Sequence, residues 1–402
     1  MIHSPGAIAC AIFAPIGLYA AFLGLLTIPF IQNQVIYLNK VTLTWGKDIN
    51  IPEQWGFLHN QVSPFHIKTS DGETLHAWHI LPPGLYRQHE QELISEPSGL
   101  VPDITERLGF KLLRDDPESL LVLYLHGAAG TLGSGHRPPS YRAISAGAPN
   151  RIHIVAIDYR GFGTSTGTPS EGGLLVDAVA LVDWAIKEAG LPSSRIVIWS
   201  QSIGTAVATT LVEHMASLPQ PVFFSGLVMV APFVDVKTLT STYRVAGTIP
   251  LLEPVAHFPR LLDLLNSFIR DKWPSAERLA SFVRNCERMP PLTVDESGNK
   301  AGHYYRINII HAEDDYDIPW SHSDQMFWSA VNAFRSDGIT FRDLEMEKEA
   351  EKVTLGAGGW TFSRETTNGI VREDILKHGL HDWIMGYPIV SLAVMRAFDL
   401  NP

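Results

Sequence analysis

Continuous apolar runs alternate with segments of helical periodicity through the middle of the chain. The runs lie at residues 120–125, 154–157, 196–199 and 226–230, and residues 306–310 are the last clear one. Such runs are typical of strands buried on both faces, as in a parallel sheet. Apolar side chains also recur at helical spacing, most clearly between the second and third runs. The alternation predicts an α/β fold with a doubly wound, mostly parallel sheet.

Three further segments give the organisation of the body, which we predict to span residues 60–402. Residues 65–69 and 74–78 flank an Asp-Gly turn and predict a hairpin. Residues 86–118 are polar and predict a surface insertion. The connection at about 237–303 is too long for a single crossover and contains an amphipathic helix. It predicts either a small helical lid over the site or ordinary packing against the core.

The N-terminus is apolar, and residues 6–31 carry no charged side chain. This length suits a membrane-spanning helix of about 20 residues, so residues 1–40 are predicted to form a retained single-pass anchor. A cleaved signal peptide is the alternative, but the basic segment that usually precedes one is missing. A buried core helix is the third possibility. Lys40 and Lys47 follow the segment, and the positive-inside rule then favours a cytosolic body.

Composition excludes some classes of protein. Acidic residues outnumber basic ones, 42 to 31, for a net charge of −11, which argues against a nucleic-acid partner. Cys10 and Cys286 are the only cysteines, too few for a disulfide framework or a thiolate metal site. We predict no metal and no organic cofactor.

The strongest chemical signal follows the apolar run at 196–199. Ser200-Gln201-Ser202-Ile203-Gly204 matches the G-x-S-x-G nucleophile elbow, with a serine at the first glycine position. Small residues on either side allow a strand and a helix to approach closely around an exposed nucleophile, here Ser202. The alternative is a chance serine between a strand and a helix.

A second loop, after the run at 120–125, begins with His126-Gly127. An HG-type loop of small residues is the expected second half of an oxyanion hole. The candidate donors are the backbone N–H groups of Ala128 and Ile203. We expect His126, Gly127 and Gly204 to support the loop and the turn structurally.

Carboxylates and histidines follow later in the chain. The loop after residue 310 contains Glu313, Asp314, Asp315 and Asp317, any of which could orient a catalytic histidine. A calcium loop is the other interpretation, but its twelve-residue register with a glycine at position six is absent. His378 and His381 near the C-terminus are the candidate bases. Their H-x-x-H spacing suggests a metal pair, but no further ligands stand out.

The segments LYLHGAAG, IDYRGFGTSTG, WSQSIGTA, IIHAEDDYDIP and HGLHDW resemble the family of α/β-hydrolase domain-containing protein 12 and its fungal relatives. The resemblance implies the α/β-hydrolase fold, with Ser202 as nucleophile, Asp315 as the orienting acid and His381 as general base. Asp314 and His378 remain the alternatives. It also implies a single-pass membrane protein, most readily of the endoplasmic reticulum. The side of the membrane stays open, because animal members are glycosylated in the lumen and this chain has no glycosylation sequon.

The resemblance further implies a serine hydrolase that cleaves carboxylic esters of membrane lipids, either monoacylglycerols or lysophospholipids, through an acyl-enzyme. A protein-depalmitoylating thioesterase would use the same triad and is the alternative. A non-enzymatic, membrane-anchored scaffold is a third hypothesis. The head group, the acyl chain length and the oligomeric state are left open.

Overall fold

A ten-stranded sheet organises the chain. The computed structural model describes residues 5–244, 252–291 and 303–400, and gives the backbone alone for residues 5–13 and 253. The strands are β1 (Val62–Lys68), β2 (Thr74–Ile80), β3 (Leu120–Leu125), β4 (Ile152–Ile157), β5 (Ile196–Gln201), β6 (Gly226–Val230), β7 (Tyr305–Ala312), β8 (Val353–Thr354), β9 (Gly359–Glu365) and β10 (Gly369–Leu376).

The strand order is β1-β2-β4-β3-β5-β6-β7-β10-β9-β8. The six strands from β4 to β10 in this order are parallel, and antiparallel strands complete both edges. The predicted hairpin is confirmed, with Lys68 paired to Thr74. The mostly parallel, doubly wound sheet is confirmed as well.

Helices cover both faces of the sheet. They are α1 (Pro5–Leu25), α2 (Pro29–Tyr37), α3 (Pro83–Gln88), α4 (Glu90–Ser95), α5 (Leu108–Asp115), α6 (Arg137–Ser145), α7 (Glu171–Asp183), α8 (Ile203–Ala216), α9 (Val236–Thr242), α10 (Glu253–Ala256), α11 (Pro259–Ser267), α12 (Ser275–Glu287), α13 (Ser321–Phe334), α14 (Phe341–Glu351) and α15 (Pro388–Ala397). Side chains of α5, α7, α8, α12 and α13 form one core with Leu121 and Leu123, whereas α6 and α15 pack with Val122 and Tyr124 on the other face.

The sheet continues beyond the last strand that the apolar pattern identifies. Strands β9 and β10 follow β7, and β10 lies parallel to β7. The pattern misses β10 because Glu373 and Asp374, both fully buried, interrupt it. Lys348 compensates the first of these, with its Nζ 2.9 Å from Glu373 Oε2 and 2.7 Å from Asp324 Oδ1. Arg372 pairs with Asp374.

The predicted surface insertion at 86–118 is wrong in part. This stretch contains α4 and α5, and Phe110 and Leu113 of α5 are fully buried in the main core. Charged residues between these apolar positions give the stretch its polar average. The segment therefore contributes to the core beneath the sheet as well as to the surface.

The long connection at 237–303 divides into two parts. Helix α12 packs against α8 and α13 and buries Leu279, Phe282 and Val283, so it belongs to the core. Helices α9, α10 and α11 precede it, and a lid in this part remains a prediction. Residues 245–251 and 292–302 of the predicted insertion lie outside the described residues.

The predicted single spanning helix is not confirmed. Among the described helices, none is both long and apolar enough to cross a membrane alone. The segments Ala14–Leu25 and Pro29–Tyr37 satisfy the length and composition criteria only together, and they are bent by 91°. Gln32 and Tyr37 of α2 are buried against the body of the protein. Thus α2, inside the predicted 1–40 anchor, also packs on the folded domain.

The buried Lys348 cluster provides a test of how β10 is held. Burial lowers the pKa of Lys348, but the Glu373 and Asp324 carboxylates outweigh burial and raise it, so the ammonium stays charged. Lys348→Met leaves both carboxylates without a cation, and we expect a loss of about 3–5 kcal/mol in the free energy of unfolding. Chemical or thermal denaturation measures it. Lys352→Met, which removes a half-exposed partner of Glu349, should cost no more than about 1 kcal/mol. Equal losses in the two variants would contradict this account.

Candidate active site

The candidate residues follow four parallel strands and lie at the carboxyl-terminal edge of the sheet. The loop of His126 follows β3, Ser202 follows β5, Asp315 follows β7 and His381 follows β10. Because these strands are parallel, their carboxyl ends meet at the same edge, where active sites of open α/β sheets lie. The last of the four depends on β10, the strand that the apolar pattern misses.

Ser202 lies on a sharp turn between β5 and α8. Its backbone adopts φ 53° and ψ −124°, a conformation that L-residues rarely adopt and that persists only when the surroundings enforce it. The Ser202 N–H donates to the Val230 carbonyl at 3.0 Å. A Cβ on Gly204 would lie 2.1 Å from the Leu125 carbonyl oxygen, so only glycine fits there. The close approach of α8 to β3 thus explains the small residue that follows the nucleophile position.

Ser200 and Gly127 also lie close to this turn, and Gly127 has more space around it than Gly204 has. Ser200 is fully buried, and its hydroxyl donates to the Val228 carbonyl at 3.2 Å. A serine therefore fits at the first glycine position. A Cβ on Gly127 would lie 3.3 Å from the Ser202 Cβ, which places the His126-Gly127 loop directly beside the turn.

Asp315 and His381 form a hydrogen-bonded pair, with His381 Nδ1 2.7 Å from Asp315 Oδ2. His311 Nε2 lies 3.1 Å from the same oxygen, and the N–H groups of Asp317 and Ile318 each donate to Oδ1 at 3.0 Å. Burial raises the pKa of Asp315, but His381, His311 and these hydrogen bonds outweigh burial and hold it well below the ordinary value. The carboxylate is therefore ionised and fixed in orientation.

The pKa of His381 changes in the opposite direction. Burial lowers its pKa, but the Asp315 carboxylate outweighs burial and raises the pKa to about 9. Because the Nδ1 proton is held by Asp315, the lone pair of the neutral imidazole lies on Nε2. That is the arrangement in which a histidine accepts a proton from a neighbouring hydroxyl.

The alternative residues, Asp314 and His378, lie next to this pair. Asp314 Oδ1 accepts the N–H groups of Gly379 and Leu380, both at 2.8 Å. Its other oxygen lies 3.3 Å from His378 Nδ1, and His378 is largely exposed. Asp314 therefore holds the backbone of the turn that presents His381.

Gln201, which the sequence analysis leaves unassigned, connects this turn to the Ser202 turn. Its Nε2 donates to the His381 carbonyl at 3.0 Å and to Asp382 Oδ1 at 2.7 Å. Within the described ranges, the Ser202 hydroxyl makes no hydrogen bond, so the Ser202–His381 contact of the predicted triad is not formed here. Such contacts are often long without substrate and tighten in the reacting complex.

Two backbone N–H groups near Ser202 are available, one in the loop after β3 and one at the start of α8. Among the described residues, neither Ala128 N–H nor Ile203 N–H donates a hydrogen bond, whereas Ala129 N–H donates to the Tyr37 carbonyl at 2.9 Å. Burial lowers the pKa of His126 well below its ordinary value, and His126 Nδ1 lies 2.6 Å from the Gly127 carbonyl. His126 is therefore neutral and braces the loop.

Arg137, a second residue missed by sequence reasoning, fixes the direction of this loop. Its guanidinium donates to the carbonyls of Gly127 at 3.1 Å, Ala129 at 2.9 Å and Thr131 at 2.7 Å. These bonds hold the carbonyls toward Arg137, and the Ala128 N–H between them donates to none of the described residues. No local motif marks Arg137, because it acts from the first residue of α6.

No group of three or more histidine, cysteine, aspartate or glutamate side chains is arranged to hold a metal ion in the part of the chain that the structure describes.

Comparison with known proteins agrees with this architecture. The profile described as "Alpha/beta hydrolase family" matches residues 122–342, more than half of the chain. The chain belongs to the alpha/beta hydrolase family. Lysophosphatidylserine lipase ABHD12 of Rattus norvegicus is 31% identical over 321 residues, which are 79% of this chain and 67% of that protein.

The predicted resemblance of this α/β hydrolase to the family of α/β-hydrolase domain-containing protein 12 is thereby confirmed. Lysophosphatidylserine lipase ABHD12 of Xenopus tropicalis is 32% identical over 223 residues, 55% of this chain and 52% of the relative, so that match spans about half the relative's length. A crystal structure of an alpha-beta hydrolase from Vibrio vulnificus has a TM-score of 0.50 at 16% identity, covering 76% of this chain and 84% of that one. It supports the fold.

The roles of Asp314 and Asp315 in this α/β hydrolase can be distinguished by how each substitution changes the pH profile of activity. If His381 is the general base, it must be neutral to accept a proton, and because its pKa is about 9, kcat/KM for a p-nitrophenyl ester should rise with pH up to about 9. Asp315→Asn removes the charge that raises this pKa. We expect kcat to fall about 10⁴-fold and the rising limb to move to lower pH. In Asp314→Asn the amide oxygen still accepts the two backbone N–H groups, so the limb should stay in place. The reverse pattern would assign the orienting role to Asp314.

The role of Arg137 is tested by Arg137→Lys, because an ammonium cannot span three carbonyls as a guanidinium does. If the Ala128 N–H stabilises an oxyanion, misplacing it should lower kcat by about 10²-fold with little change in KM. Arg142→Lys, on the same helix but bonded to the Trp55 carbonyl, is the control and should retain activity. An Arg137→Lys enzyme with wild-type kcat would refute this role.

Proposed function

We propose that this α/β hydrolase is a serine hydrolase that cleaves carboxylic esters of membrane lipids, a monoacylglycerol or a lysophospholipid. The observation that carries the proposal is the ionised Asp315 paired with His381 at the sheet edge that also holds the strained Ser202 turn. The similarity to proteins named lysophosphatidylserine lipase supports a lysophospholipid as the substrate class.

The residues have distinct roles in the proposed reaction. Ser202 Oγ attacks the ester carbonyl while His381 Nε2 takes the hydroxyl proton. The N–H groups of Ala128 and Ile203 stabilise the resulting oxyanion, and the dipole of α8 adds to this because Ile203 is its first residue. His381 returns the proton to the leaving alcohol, which gives the acyl-enzyme. A water molecule, deprotonated by His381, then releases the fatty acid. No metal or organic cofactor takes part.

Apolar surface near the N-terminus supports a lipid over a soluble ester. Leu18 of α1 is 72% exposed and Phe30 of α2 is 69% exposed, and Phe258, just before α11, is 63% exposed. Exposed apolar side chains on neighbouring elements mark surfaces that contact membranes or apolar ligands. We therefore propose that the N-terminal helices attach the enzyme to a membrane, that of the endoplasmic reticulum by analogy with the resembling family.

A depalmitoylating thioesterase would use the same residues, because Ser202 would attack a thioester carbonyl in the same geometry.

A non-enzymatic scaffold is disfavoured by the buried and charged Asp315. Burying a carboxylate and surrounding it with four hydrogen-bond donors costs free energy, which is unexpected for a group without a role.

The proposal predicts labelling of Ser202 by a fluorophosphonate probe. Wild-type protein should be labelled, Ser202→Ala should not, and Ser200→Ala should be labelled because that hydroxyl faces away into the sheet. The labelled enzyme is then assayed with monoacylglycerols, lysophospholipids and palmitoyl thioesters. We expect hydrolysis of at least one oxygen ester, lost by about 10³-fold or more in Ser202→Ala.

Two outcomes would contradict this function. Absence of labelling, under conditions where a control serine hydrolase reacts, would favour the scaffold. Turnover of thioesters alone would favour the depalmitoylating enzyme.

A further inference from the structure

An apolar cleft separates the N-terminal helices from the segment around α11. Leu23, Leu26, Val35 and Ile36 line it on the N-terminal side, and Leu262 and Leu265 of α11 line it on the other. A water-sized sphere can occupy about 100 Å³ of the cleft, which is partly open to solvent.

Most polar groups in the cleft are satisfied by the protein itself, although Asn266 Nδ2 is buried without a hydrogen-bond partner among the described residues. Gln32 Nε2 donates to the carbonyls of Leu26 and Phe268, both at 2.9 Å. Thr240 Oγ1 donates to Asn266 Oδ1 at 3.1 Å. The walls therefore present mainly hydrocarbon, which suits an alkyl chain rather than a polar head group.

The cleft adjoins the loop that we propose to bind the ester carbonyl. Ile36 lines the cleft, and the carbonyl of the next residue, Tyr37, accepts the N–H of Ala129. The cleft wall at Ile36 is thus one residue along the chain from the carbonyl that holds the loop at Ala129.

Buried hydrogen bonds hold the two sides of the cleft together. Tyr37 Oη donates to Asp271 Oδ2 at 2.8 Å and accepts from Trp273 Nε1 at 3.3 Å. Arg270 N–H donates to Gln32 Oε1 at 3.1 Å. These contacts join α2 to the segment that follows α11, so the cleft is a formed feature of the folded chain.

We propose that this cleft binds the acyl chain of the ester whose carbonyl is attacked by Ser202. The proposal rests on the proposed function and adds a site for the chain. It makes the N-terminal helices part of the substrate-binding surface in addition to their proposed role in attachment. The exposed side chains of Phe30 and Leu261 near the cleft would let an alkyl chain enter along an apolar surface.

The test fills the cleft and measures chain-length preference. Full-length Leu265→Trp is assayed with p-nitrophenyl butyrate and palmitate in mixed micelles of fixed composition. Filling the apolar cleft should lower kcat/KM for the palmitate at least about tenfold, with the butyrate within about twofold of wild type. Leu264→Trp is the matched control: Leu264 is the adjacent residue, 56% exposed, and both esters should be hydrolysed as by wild type. Val35→Trp fills the cleft from the opposite wall and should reproduce the Leu265→Trp result if that variant fails to fold.

The remaining outcomes separate this inference from the proposed function. Equal rates for both esters in the cleft variants and wild type would overturn the acyl site while leaving the hydrolase intact. An equal fall for both esters would also overturn it, because the effect would then lie at the catalytic residues. Failure of the wild type to hydrolyse either ester or react with the fluorophosphonate would overturn the proposed function and, with it, this site.

Discussion

The close approach of α8 to β3 is the constraint on which the candidate site depends. It holds because residue 204 is glycine, whose hydrogen lies where a Cβ would meet the Leu125 carbonyl. With the helix this near the sheet, the chain must turn sharply at Ser202 into a left-handed backbone conformation. The same turn leaves Ile203 N–H at the start of α8 with no partner among the described residues and brings Gly127 beside the Ser202 side chain.

Around this turn, side-chain hydrogen bonds hold the neighbouring loops in place. Arg137 gathers the carbonyls of the loop after β3, Asp314 holds the backbone of the turn after β10, and Gln201 ties that turn to β5. Each group satisfies backbone atoms that would otherwise be exposed or buried without partners. The N-terminal segment joins the same system, since the Tyr37 carbonyl accepts the Ala129 N–H. The predicted anchor is therefore hydrogen-bonded to the loop beside the candidate site.

The sequence predicts most of the sheet because strands buried on both faces must be apolar throughout. The apolar pattern does not identify a strand that contains buried ion pairs. β10 has two acidic residues inside the sheet, and Lys348 pairs with one of them, Glu373. The predicted lid at 237–303 is too long, because α12 belongs to the core. This helix packs on α8 and α13, which are distant from it in the chain, so the local pattern does not show that contact. Arg137 and Gln201 carry no local pattern, since their partners are backbone atoms or residues brought near by folding.

The sequence by itself determined the fold class, the strained turn at Ser202 and the order of the candidate residues, because each follows from local spacing of small, apolar and charged residues. Only the tertiary structure decided which aspartate meets which histidine. Asp314 and Asp315 are adjacent, and in the sequence only the family resemblance favours Asp315 over Asp314. Asp315 is buried beside His311 and reaches His381, whereas Asp314 faces the backbone of Gly379 and Leu380. The parallel pairing of β7 with β10 brings the two loops together across more than sixty residues of chain, and the different directions of the two side chains then decide which one meets His381.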